Sequence, residues 1–262
     1  MVLTGLINNI MYDICPKCQY RRQATDTGDP GICPACGLIF SKWMKQQFAV
    51  QAVTATTETA ADDPGFFRFL VDNLLYVEPK TEPVFFYSRA ILYTGFLVWG
   101  WYFIMMDFAV DPFEIGKSFM HNINLVFHEA GHIIFRPFGW FIMILGGTLG
   151  QLLMPLVVIL AFMFKNHDNF AASIGLWWLG QSFMDCAPYI DDALDQKLVL
   201  LGGRTGADAP GNHDWNNILG ELNRLEKCHD YASIADMTGT ILMIIAFIWG
   251  GYILHRQFKN MF

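Results

Sequence analysis

Residues 84–110, 138–164, 170–188 and 234–254 are apolar stretches with almost no charge. The first carries only Arg89 and Asp107, the second no charged residue, the third Asp185 and the fourth Asp236. About twenty such residues cross the hydrocarbon core of a bilayer as a helix. Backbone amides in lipid find partners only within a helix or a closed barrel. Apolar runs of this length therefore predict a mainly α, polytopic helical membrane protein. Composition agrees: 53% of residues are hydrophobic and 16% charged. Residues 119–135 form a further apolar but more polar segment, and the Gly- and Pro-interrupted 138–164 stretch reads as one kinked span or two shorter pieces. Five or six spans result. Arg21, Arg22, Lys42, Lys45, Lys80 and Arg89 favour a cytoplasmic N-terminus. The basic residues in "HRQFK" near residue 262 favour a cytoplasmic C-terminus, so six is preferred. The expected location is a multi-pass plasma (inner) membrane, without a cleaved leader.

The chain divides into three parts. Residues 1–45 are polar and turn-rich. Residues 46–83 read as a linker, Ala/Thr-rich at first, ending in an interfacial helix near 66–77. Residues 84–262 form the transmembrane domain, interrupted by a polar connection, 188–232, in which Trp215, Ile218, Leu219, Leu222 and Leu225 recur at helical spacing. That spacing predicts an amphipathic helix over 214–228 with Asp214 as its N-cap. The net charge of −7 argues against nucleic acid as a partner, because phosphate binding needs clustered Lys and Arg.

"CPKC" and "CPACG" place Cys15, Cys18, Cys33 and Cys36 in two C-x-x-C turns, each aiming two thiolates at one ion. Two such turns complete a closed tetrahedral site, so a structural zinc is expected. The segment resembles a zinc ribbon on the cytosolic side, suited to docking a protein partner. A redox dithiol is the other reading of one C-x-x-C, but it does not need the second pair. Cys186 and Cys228 read as unpaired thiols.

"HEAGH", residues 128–132, sets His128 and His132 on one face of a helix, with Glu129 beside them as a general base. Three ionisable groups in an apolar segment are costly unless they have partners or a function. A catalytic zinc needs a third protein ligand. Asp185 in "SFMDCAP" is one candidate and His213 in "GNHDWNN" the other. Asp191 and Asp192 read as a solvated span boundary. Gln151, Gln181 and His121 read as groups that orient a ligand, hold substrate or bond between helices.

The "HEAGH" motif in a membrane helix resembles that of the site-2 protease-like intramembrane zinc metalloproteases, which commonly carry a glycine where Gly131 stands. The larger stretch, through "GGTLGQLLMP", "DCAPYIDDA" and "HDW", is similar to an uncharacterised bacterial branch of that class. The resemblance implies an Asp ligand from a later helix. Asp185 lies in a comparable place, but Cys186 stands where the family has Gly. It also implies a second, catalytic zinc and a membrane-protein substrate whose peptide bond is hydrolysed by a water that Glu129 activates. The alternatives are a non-catalytic membrane scaffold or assembly protein that keeps the metal as a structural tie, and a metal transporter.

Overall fold

The computed structural model describes residues 13–44, 65–108, 110, 111 and 113–262, and the side chains of all of these except residues 66 and 67. Most of the Ala/Thr-rich linker, 46–64, lies outside the described residues. The chain forms two compact units, residues 1–68 and 69–262. Among the described residues it is mainly helical, with three isolated β-bridges and no strand.

In the first unit the two C-x-x-C turns are near copies. An antiparallel bridge closes each one, Ile14 with Arg21 and Ile32 with Ile39. The Cys15 amide donates to Tyr20, and the Cys33 amide donates to Leu38, both at 2.9 Å. The fourth residue after each first cysteine is left-handed, Gln19 at φ 61° and Gly37 at φ 71°. Cys15, Cys33 and Phe40 make a small core with Tyr20 and Leu38. A core this small contributes little by itself, which is the usual reason such modules carry a metal.

The helices, in chain order, are α1 (Phe66–Leu74), α2 (Pro83–Ile104), α3 (Phe119–Phe135), α4 (Trp140–Leu160), α5 (Asn169–Asp191), α6 (Asp214–Glu221) and α7 (Cys228–Lys259). Helix α4 continues into a π-helical segment, Ala161–Lys165, and runs through Pro155 without ending. The 138–164 stretch is therefore one helix. Against the five or six spans expected, two helices among the described residues are long and apolar enough to cross a membrane, Trp140–Lys165 and Leu225–Lys259. The amphipathic helix expected over 214–228 is shorter. It stops at Glu221, Asn223 turns left-handed at φ 53°, and a 3-10 turn, Leu225–Lys227, leads into α7.

Close backbone approach organises the second unit. A Cβ on Gly131 of α3 would overlap the carbonyl oxygen of Gly146 on α4, and one on Gly150 would overlap the Phe127 carbonyl. Helices α5 and α7 meet in the same way, where a Cβ on Gly180 would stand 2.8 Å from the Gly239 oxygen. Apolar helices lacking a hydrophobic drive between them associate by such small-residue contacts. Around α5, Trp177 is buried with Phe103, Met184 and Met243 and donates from Nε1 to the Phe96 carbonyl at 3.0 Å. Arg89 of α2 pairs at 2.7 Å with Asp168, which caps α5 by accepting from the Ala171 amide.

Adding a methyl at Gly131 forces α3 and α4 apart. Gly131→Ala is expected to lower the unfolding free energy by about 1–3 kcal/mol in chemical denaturation. Gly95 of α2 has nothing within 4 Å of its Cβ position. Gly95→Ala is expected to be neutral or to stabilise by up to about 1 kcal/mol. Equal effects at the two positions would show that the α3–α4 contact does not limit stability.

Candidate metal centre

The four cysteine sulfurs converge. Cys15 Sγ lies 3.7 Å from Cys36 Sγ, and Cys18 Sγ lies 3.7 Å from Cys33 Sγ. Sulfurs held at about 2.3 Å around a tetrahedral zinc are about 3.8 Å apart, so this spacing fits one ion at the centre. Burial pushes the Cys15 thiol up, but the amides of Cys18 and Lys17 more than offset it and hold it at about 6.

The second cluster is built from three places. On α3, His128 and His132 lie on one face with their rings 4.9 Å apart. The carbonyl oxygen of Met143 on α4 stands 2.8 Å from His132 Nδ1. A carbonyl only accepts, so that nitrogen carries the ring proton and Nε2 is turned to the cluster. The third group is Asp214, the first residue of α6. Its Oδ2 lies 2.9 Å from His128 Nε2 and 3.2 Å from His132 Nε2. One nitrogen from each histidine and a carboxylate oxygen all lie within 4.8 Å of one another. Burial raises the Asp214 carboxyl pKa, but the hydrogen bonds from His128 and His132 outweigh this and bring it to about 2. Asp214 is thus ionised at physiological pH. Two imidazoles with one carboxylate are a ligand set for a metal ion.

Gly147 of α4 completes the cradle. A Cβ there would stand 2.5 Å from His128 Nε2 and 2.6 Å from His132 Nε2. Any side chain at this position would fill the ground that the two nitrogens face. Glu129 is half-buried, interacts electrostatically with His132, and its carboxylate makes no hydrogen bond or ion pair to the described residues.

The structure does not bring Asp185 to this cluster. Asp185 is bonded elsewhere: Oδ1 meets His121 Nδ1 at 2.9 Å and Oδ2 accepts from Asn124 Nδ2 at 3.1 Å and Gln151 Nε2 at 2.9 Å. Its lone pairs are spent on these donors. His213 is not in place either. Its Nδ1 accepts from the Asn216 amide at 3.2 Å, so His213, and not Asp214, caps α6, while Nε2 faces Asp192 at 3.3 Å. Gln151 and Gln181 join helices: Gln151 reaches Asp185, and Gln181 accepts from Asn124 Nδ2 at 2.8 Å. His121 pairs with Asp185 and does not reach the metal cluster. Asp192, expected at a solvated boundary, is buried and closes the following loop. Its oxygens accept from the amides of Lys197 and Leu198 at 2.7 and 2.9 Å. Asp191 pairs at 2.6 Å with His229. Cys186 and Cys228 are buried free thiols.

No protein-family model, curated protein or solved structure matches the chain.

The two carboxylates are separable by experiment. Asp214→Asn and Gly147→Ala are each expected to weaken metal binding at the histidine site by more than about 100-fold, as read by chelator competition. Asp185→Asn should leave that affinity unchanged and lower the unfolding midpoint, because it replaces an acceptor in a buried hydrogen-bonded network. Metal loss in Asp185→Asn with retention in Asp214→Asn would reverse the assignment. Cys33→Ser should release the metal of the cysteine site only.

Proposed function

We propose that this chain is an intramembrane zinc-dependent peptidase of the site-2 protease-like type, hydrolysing a peptide bond of a membrane-associated protein. The observation that carries this reading is the convergence of His128, His132 and Asp214 beside Glu129, whose carboxylate has no hydrogen bond or ion pair among the described residues. His128, His132 and Asp214 would hold the ion. In this reading Asp214 takes the place that the family gives to an Asp on a later helix. Both metals are assigned as zinc because thiolates and imidazoles suit that ion.

When bound, zinc supplies a Lewis acid that polarises a carbonyl and makes water more acidic. Glu129 does the proton work: it accepts a proton from the attacking water and returns it to the leaving amine. His132 is kept in the ligating tautomer by the Met143 carbonyl. Gly147 leaves room for the reacting group between the two imidazoles.

The outer surface supports the membrane setting. Val84, Ile91 and Val98 of α2, Ile133 and Ile134 of α3, and Ile248 of α7 are all exposed. An apolar exterior of this extent suits lipid. The reading extends to a multi-pass chain in a bacterial inner membrane, N-terminus in the cytoplasm, with the cysteine module offered to a protein partner.

Glu129→Gln is the decisive substitution. It should retain both metals by elemental analysis and cut turnover of a membrane-anchored peptide reporter by about 100- to 10,000-fold. Full turnover with full metal content in Glu129→Gln would exclude this mechanism. A wild-type protein that holds both metals and cleaves no membrane-anchored peptide would favour the scaffold reading.

A further inference from the structure

Asp214 reaches the histidines from outside the α3–α4 pair, at the end of the polar connection that leaves α5. What holds it there is visible on α5. Tyr189 sits one helical turn after Asp185, and its Oη accepts the Asp214 amide proton at 2.9 Å. The first amides of a helix have no partner within the helix. Here Tyr189 takes the amide of Asp214, and His213 Nδ1 takes that of Asn216. The Tyr189 ring lies edge-on to His128, centroids 6.0 Å apart, and against the His213 ring at 4.4 Å. One side chain therefore touches a histidine of the cluster, the backbone of its carboxylate residue and the cap that starts α6.

Other contacts hold the far end of the connection. Asp192 faces His213, and Asn216 Nδ2 donates to the Ala193 carbonyl at 2.8 Å. These contacts fix where α6 starts. The Tyr189 hydroxyl is bonded to the backbone of Asp214 itself, and the Tyr189 ring backs His128.

We propose that Tyr189 is the positioning residue of the histidine–aspartate metal site: its hydroxyl anchors Asp214 so that the carboxylate faces His128 and His132. The inference rests on the metal-binding part of the proposed function and not on peptide hydrolysis. Groups that orient metal ligands by hydrogen bonding typically alter affinity 10- to 100-fold when removed. Tyr189→Phe keeps the ring and removes only the oxygen, which separates anchoring from packing.

The test uses the full-length protein in detergent or nanodiscs. One equivalent of zinc first fills the cysteine site. Zinc, or cobalt(II) as a spectroscopic probe, is then titrated into the second site. Tyr189→Phe is expected to bind about 10- to 100-fold more weakly than wild type and to show altered cobalt ligand-field bands. Asp185→Asn, a buried change one turn away, should bind like wild type with an unchanged spectrum. Wild-type affinity and spectrum in Tyr189→Phe would overturn the positioning role while leaving the metal site intact. A wild-type chain that takes up metal at the cysteines alone would overturn both. A second measurement needs no variant: the Asp214 amide of the metal-loaded wild-type protein should be protected from hydrogen exchange, and exchange at the rate of an exposed loop would also overturn the proposal.

Discussion

The approach of α3 to α4 is backbone on backbone, and the geometry of the histidine site follows from it. Gly131 and Gly150 leave no room for a methyl between the helices. At that separation Gly147 falls directly under the two Nε2 atoms, and Met143, one turn earlier on α4, reaches His132 Nδ1. A wider spacing would break the Met143 contact and free the His132 ring to change tautomer. Gly131, which the sequence offers only as a resemblance to a known motif, thus has a local physical reason to be glycine.

Polar groups in the bundle lie in two layers one helical turn apart. His128 of α3, Gly147 of α4 and Tyr189 of α5 belong to the first. Asn124, Gln151 and Asp185, each four residues away on the same three helices, belong to the second. The layers contain similar chemistry but differ in which groups pair with their carboxylate. Asp185 accepts from side chains on α3 and α4, and Asn124 Oδ1 in turn accepts from Trp178 at 2.8 Å and Ser182 at 3.3 Å. A buried polar group left unpaired costs about 1–3 kcal/mol, so the pairing of Asp185 with donors on α3 and α4 ties these helices together. Asp214 instead stands within hydrogen-bonding distance of two imidazole nitrogens, beside Gly147. Two buried carboxylates thus divide into a tie between helices and a candidate ligand.

The local parts of both metal clusters were legible in the sequence. Helical periodicity alone places His128 and His132 together, and a C-x-x-C turn fixes its own two thiols. Asp214 was not legible as a member of the cluster, because its partnership with His128 spans 86 residues and depends on how the polar connection folds back. Asp185 drew attention through its apolar neighbours, which signal burial but not what is buried beside it. The adjacent acid in "HDW" carried the available clue, since His213 was already a candidate and its neighbour points the other way. The helical elements were legible from their apolar runs. The shortening of α6 was not, because the apolar spacing continues past Gly220 and Asn223, where the backbone turns.

The sequence distance between the two halves of the histidine site has a consequence for synthesis. His128 and His132 stand side by side as soon as α3 forms, but two imidazoles are an incomplete coordination set. Asp214 becomes available only after α4, α5 and the connection that Asp192 closes have been made. A growing chain therefore carries Glu129 for most of its assembly without a complete ligand set beside it. Helices α3, α4 and α5 are thus made before all three donors exist, and α7 is made after them.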